Sequence, residues 1–99
     1  MHFYNRGQIR CFLKIAELAN FSLAAEQLNL TPTAVSKQIK NLEQVLNEQL
    51  FLRTTRKVQL TDFGQLFYKK CKHIEEEIAA VNQFVEANRA TPQAGAFHD

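Results

Sequence analysis

The chain is 99 residues long, 45% of them hydrophobic, with a formal net charge of +2. That is room for one small domain with an appended element, and too apolar a composition for a disordered tail. Cys11 and Cys71 lack pairing or metal spacing, His2, His73 and His98 are scattered, and there is neither a membrane-length apolar run nor a signal-peptide core. These features argue against a disulfide framework, a metal site, a membrane span and secretion, so the chain reads as cytoplasmic and without a cofactor.

The charge is unevenly placed. Residues 31–60 carry Lys37, Lys40, Arg53, Arg56 and Lys57 against Glu43 and Glu48, a net +3, whereas residues 63–99 carry four cations against five acids, a net −1. A basic central stretch fits a polyanionic partner, although an ordinary solvated surface accounts for it equally well on charge alone.

In chain order, Asn5 can cap a first helix, with Gln8 three residues on in capping-box position. Ile9, Phe12, Leu13 and Ala16 then recur on one helical face, and Gly7 weakens the start slightly. The pattern stops near Ala19-Asn20. Ser22 is the next expected cap, opening a short helix marked by Ala24, Ala25 and Leu28, whose small alanines suit a close helix crossing. After a tight turn at Asn29-Leu30, Thr31 is a third cap, and Pro32 sits at the first helical position, where its missing N–H costs nothing. Val35, Ile39, Leu42 and Leu46 form the apolar face of this third helix. Thr33, Ser36, Lys37, Lys40, Asn41 and Gln44 occupy the opposite face.

Two short β-like runs follow, Leu50-Phe51-Leu52 and Lys57-Val58-Gln59-Leu60, with Arg53-Thr54-Thr55-Arg56 between them. They read as a small hairpin with a basic tip. Thr61 caps a fourth helix, and Asp62 adds a favourable negative charge in its first turn. Phe63, Phe67, Cys71, Ile74, Ile78, Val81 and Val85 follow at near-heptad steps. A helix of this reach, about 40 Å long, cannot fold back wholly on so small a body. Pairing with the same helix of a second subunit is the expected use, against packing inside a larger protein's core. Thr91-Pro92 and Gly95 mark a linker. The expected layout is a winged DNA-binding unit over 1–61, a dimerisation helix over 62–90 and a linker or tail over 91–99.

Two short helices joined by a tight turn, the second with a basic outer face, form a helix-turn-helix pattern. The apolar face anchors the second helix, leaving its N-terminal turn to meet base edges in the major groove. Free N–H groups near Thr31 and Thr33 can take a phosphate, and Thr33, Ser36, Lys37 and Lys40 share a face. Arg53 and Arg56 at a wing tip suit a narrow minor groove. Each lysine alone is most simply a solvated side chain; it is the combination with the wing that points to DNA.

At these residues the chain resembles the LysR-type bacterial transcription regulators. The run Phe21-Ser22-Leu23-Ala24-Ala25-Glu26-Gln27-Leu28-Asn29-Leu30-Thr31 is similar to that family's first helix-turn-helix segment, and Ala34-Val35-Ser36-Lys37-Gln38-Ile39-Lys40-Asn41-Leu42-Glu43 to its recognition helix. Leu50-Phe51-Leu52-Arg53-Thr54 and Val58-Gln59-Leu60-Thr61-Asp62-Phe63-Gly64 resemble its wing and linker entry. The resemblance implies a mainly α fold: three helices and a two-stranded β wing, followed by a long linker helix. It implies a homodimer that binds an interrupted inverted repeat of double-stranded DNA through Thr31, Pro32, Thr33, Ser36, Lys37 and Lys40 in the major groove and Arg53 and Arg56 in the minor groove. The family usually carries Gln-Pro where this chain has Pro32-Thr33, a change that bears on the target sequence. It often carries an acid at Leu52 and a polar residue at Leu23. Its effector-binding domain is absent from this chain, so a small-molecule effector would act only through that domain.

Two other readings stand beside this one. The chain could be a protein-interaction module that uses the long helix as a zipper; the basic wing and the Lys37/Lys40 face argue against it. An enzyme is not expected: no nucleophile–base pair is apparent, and none of Gly7, Gly64 and Gly95 sits in a phosphate-cradling loop.

Overall fold

The first helix, α1 (Arg6–Leu18), opens on Asn5, whose side chain accepts the Gln8 amide at 3.0 Å. It closes on Ala19, which donates its N–H to the Ile15 carbonyl from a left-handed conformation at φ 52°. The computed structural model describes residues 3–53 and 57–89.

The second helix, α2 (Phe21–Gln27), corrects the expected cap. Asn20, not Ser22, supplies the capping oxygen, accepting from the Leu23 amide at 2.8 Å. The left-handed residue Ala19 delivers the chain to Asn20 already extended (φ −160°, ψ 116°), which is cap geometry, and Asn caps as well as Ser does. Ser22 is therefore an exposed residue of the first turn. At the other end Asn29 takes φ 58°, and the Leu30 and Asn29 amides bond back to Ala25 and Glu26 at 2.9 and 3.1 Å. This closure satisfies the last carbonyls and turns the chain sharply.

The third helix, α3 (Pro32–Leu46), begins as its sequence dictates. Thr31 Oγ1 accepts the Ala34 amide at 3.0 Å, and Pro32 occupies the first turn. Asn47 ends it at φ 55°, with the Glu48 amide on the Glu43 carbonyl at 3.2 Å.

Of the expected two-stranded wing, the described residues show the base. Phe51 and Leu60 form an isolated antiparallel bridge, flanked by Leu52 N–H to Gln59 O at 2.8 Å and Thr61 N–H to Leu50 O at 3.0 Å. Among the described residues no strand extends beyond that bridge. Leu50 and Phe51 are buried in the core, and Arg53 pairs with Glu43 on α3. The expected tip, Thr54-Thr55-Arg56, lies outside the described residues, as does the expected linker over 91–99.

The core gathers Ile9, Phe12 and Ile15 from α1, Ala24 and Ala25 from α2, Val35, Ile39 and Leu42 from α3, and Leu50 and Phe51 from the wing base, all buried. Phe12 is its hub, with ring centroids 5.6 Å from Phe51, 5.5 Å from Phe67 and 6.2 Å from Tyr68.

The fourth helix, α4 (Asp62–Arg89), is a continuous 28 residues. Thr61 Oγ1 accepts the Gly64 amide at 2.9 Å and donates to the Gln49 carbonyl at 2.6 Å, tying the helix start to the segment that follows α3. Gly64 is buried because α4 passes directly over the wing base: a Cβ there would run into the Leu50 carbonyl oxygen and sit 3.2 Å from Leu60 Cδ2.

The apolar stripe of α4 divides in two. Phe63, Phe67 and Cys71, expected in a seam between subunits, pack on the chain's own core, Cys71 fully and the two phenylalanines in part; Phe67 also lies 6.0 Å from Phe3. The body reaches further than its first three helices, because the Phe12 ring is also packed by Phe67 and Tyr68 of α4. Beyond Cys71, Ile74, Val81 and Val85 are exposed, and Ile78 is partly so. Among the described residues no helix is long and apolar enough to cross a membrane.

Candidate nucleic-acid interface

α3 is held by its inner face and offers its outer one. Val35, Ile39 and Leu42 are buried, whereas Thr31, Pro32, Thr33, Ser36, Lys37 and Lys40 are all exposed. The structure brings these six together along the cap and the first two and a half turns of one helix. Thr31 uses its oxygen as a cap acceptor, leaving its hydroxyl proton to donate outward. Pro32 has no N–H, so Thr33 presents the first amide of the helix to solvent. A helix N-terminus favours an anion, and its exposed donors can bond one.

Neither Lys37 nor Lys40 has an ion-pair partner among the described residues. Their charge is available to a partner, unlike that of Arg6, Lys72 or Arg53, each held by a carboxylate.

Arg53 is placed differently from the expected wing tip. Its Nη2 donates to Glu43 Oε1, and the other Glu43 oxygen accepts the Leu50 amide at 2.8 Å. Glu43 is itself buried, so this pair nails the root of the wing to the inner side of α3. The Arg53 side chain remains 48% exposed, and with Phe21, Ser36, Ile39 and Lys40 it lines a shallow recess between α2, α3 and the wing base. Arg53 and Lys40 are thereby brought to one surface. Arg56 lies outside the described residues.

Glu43 was legible as more than a negative charge. Its position follows Ile39 by four and Leu42 by one, so it falls on the buried stripe of α3, where an acid needs a partner. The recess had no local signal, because its lining comes from three separated segments.

A second polar cluster sits where α4 crosses α1. Arg6 donates from Nε and Nη2 to Glu75 Oε1 at 3.1 and 2.9 Å, and the Tyr4 hydroxyl donates to Glu75 Oε2 at 3.1 Å. The Arg6 hydrogen bonds hold the Glu75 carboxyl below its ordinary range. Burial, reinforced by the Glu75 carboxylate, pushes the Tyr4 phenol up to about 12. The Cys71 thiol nearby is pushed up to about 11 by burial, which keeps it protonated and unreactive at neutral pH. Among the described residues no group of His, Cys, Asp and Glu could hold a metal ion.

Leu66 and Phe84 on α4 escaped the stripe assignment and are, among the described residues, the most exposed of the large apolar side chains, at 63% and 68%. Leu23 and Leu52 are exposed as well.

Residues 7–65 match the sequence profile of the bacterial regulatory helix-turn-helix proteins of the lysR family. The HTH-type transcriptional regulator CrgA of Neisseria meningitidis is 36% identical over 89 residues, covering 90% of this chain and 30% of the regulator. The regulator DmlR of Escherichia coli is 36% identical over 87 residues, covering 88% of the chain and 28% of DmlR. The chain thus spans about three-tenths of the length of these curated relatives. Among solved structures, the BenM DNA-binding domain in complex with benA site 1 DNA superposes with a TM-score of 0.81 at 26% identity, covering 88% of this chain and 98% of that one. Vibrio fischeri DarR in complex with DNA superposes with a TM-score of 0.76 at 30% identity, covering 90% of this chain and 30% of DarR.

Proposed function

The chain belongs to the LysR family of bacterial regulatory helix-turn-helix proteins, and from that premise we propose that it is the DNA-reading part of a transcription regulator, acting as a homodimer on an interrupted inverted repeat. The observation that carries this reading is the exposed row Thr33, Ser36, Lys37 and Lys40 on a helix whose opposite face is locked into the core. α3 lies in the major groove, its short hydroxyl side chains and Lys37 facing base edges and Lys40 facing phosphate. The wing brings Arg53 and Arg56 to the adjacent minor groove. Ile74, Ile78, Val81 and Val85, joined by Phe84, line the contact between subunits. The function makes and breaks no covalent bond and needs no cofactor; it belongs in the bacterial cytoplasm, where the DNA is. Any small-molecule effector acts through a part of the regulator outside this chain.

Selection of duplexes from a random pool, followed by titration of point variants, tests the reading. Lys40→Ala weakens binding to all sequences alike and lowers the slope of log affinity against log salt by about one. Lys37→Ala costs about 1–3 kcal/mol and relaxes preference at one base position. Equal binding by native chain and both variants would remove α3 from the interface. Separately, Ile78→Glu places a charge in the subunit contact; sedimentation then shows a monomer, and a persistent dimer would discard that contact.

A further inference from the structure

Tyr4, Arg6 and Glu75 all lie outside residues 7–65, the segment that matches the family profile, yet they converge on one point of the body. Both Glu75 oxygens are engaged. Arg6 Nε bonds Oε1 and Oε2 at 3.1 and 3.2 Å, Nη2 bonds Oε1 at 2.9 Å, and the Tyr4 hydroxyl reaches Oε2 at 3.1 Å. Glu75 marks the boundary on α4 between the turns packed on the body and those that project from it. After it, Asn88 donates to the Phe84 carbonyl and Arg89 pairs with Glu86, both within the helix. Near the opposite end of α1, Glu17 takes Lys72 at 3.7 Å and Lys14 at 3.8 Å.

We propose that Glu75, clasped by Arg6 and Tyr4, is a positioning residue that sets the angle at which α4 leaves the body and, through it, the half-site spacing a dimer accepts. The spacing consequence rests on the dimeric DNA reading given above; the angle does not.

The physical case has three parts. The apolar contacts of Phe63, Phe67 and Cys71 hold α4 down but are non-directional, so they resist lifting better than they resist tilting. A multiply bonded arginine–carboxylate pair is directional and fixes an orientation. With Arg6 near one end of α1 and Glu17 near the other, the crossing is strutted on both sides. From Glu75 the helix runs on for about 20 Å, so a tilt of about 10° carries its far end about 3–4 Å. That is roughly one base-pair step, since a helical turn of 10–10.5 base pairs advances about 34–36 Å.

Two measurements on the full chain decide it. Nitroxide labels at Gln44→Cys and Gln83→Cys, both exposed sites, report the distance between α3 and the distal part of α4 by pulsed electron resonance; dilution with unlabelled chain restricts it to one protomer. Cys11 and Cys71 are each only 2% exposed and stay unlabelled. The native chain gives one narrow distribution. Glu75→Ala and Arg6→Ala each broaden it, and the swapped pair Arg6→Glu with Glu75→Arg narrows it again. An unchanged width in both single variants overturns the proposal.

The second measurement offers the selected half-sites at spacings differing by single base pairs. Glu75→Ala retains the half-site base preference, while discrimination between the best spacing and its neighbours falls about threefold, the scale of a well-formed exposed ion pair. An unaltered spacing profile, even with a lowered Tm, would make the clasp purely structural. If the native chain selects no inverted repeat, the proposed function fails, and the label distances still decide the angle.

Discussion

α4 is one helix with two fates. Its first half lies on the body, where Phe67 meets the Phe12 and Phe3 rings and Cys71 is buried. Its second half carries the same apolar period into solvent, with Val81 60% and Val85 45% exposed. Periodicity identifies which face of a helix is apolar but not what covers it. The covering is decided by an apolar face on the other partner, here the Phe3 and Phe12 side of the body for the first half. For the second half, the proposed partner is another subunit.

Substitutions at matched positions sharpen that contrast. The largest effect belongs to the covered half. Phe67→Ala should lower unfolding free energy by about 2–3 kcal/mol, below the full-burial range because the ring is only partly buried, and by the same amount at every protein concentration. Denaturant titration at two concentrations reads it; a loss below half a kcal/mol would break the assignment of this half to the body. Gly64→Ala comes next. Overpacking against the Leu50 carbonyl should cost about 1–3 kcal/mol, partly offset by about 1 kcal/mol of helix propensity. A rise in Tm would show that α4 does not pass so close to the wing base.

A smaller and opposite effect is expected at Ala19, held at φ 52° at the end of α1. Ala19→Gly should stabilise by up to about 1 kcal/mol, because glycine adopts that conformation without steric cost. The smallest effect on the body is that of Phe84→Ala. It should leave the concentration-independent unfolding unchanged while weakening self-association about tenfold, a measure of losing one aromatic anchor. If Phe84→Ala destabilised the body as Phe67→Ala does, the two halves of α4 would not differ as described.

Much of this fold was legible because its signals are local. Asn5, Thr31 and Thr61 cap the helices that their spacing predicts, and Val35, Ile39 and Leu42 turn inward as their period requires. The cap of α2 was misplaced by two residues because Ser22 and Asn20 are both good caps. Only the left-handed turn at Ala19, invisible as a preference of alanine, chooses between them. The candidate interface was legible as a row of exposed residues on α3. What stayed hidden was non-local: Arg53 answering Glu43, Gly64 admitting the Leu50 carbonyl, and Glu75 meeting residues at the far end of the chain. Each depends on how two segments meet in space, which spacing along one segment does not report.

The reading of α3 as a DNA-facing helix is tested most directly by the binding of this chain to labelled duplexes across a salt series, with a selected inverted repeat beside a random sequence. A DNA-facing α3 gives tight binding to the repeat, weak binding to the random duplex and an affinity that falls steeply as salt rises. Weak binding to both duplexes alike at low salt would contradict it and leave the winged body as a surface for proteins.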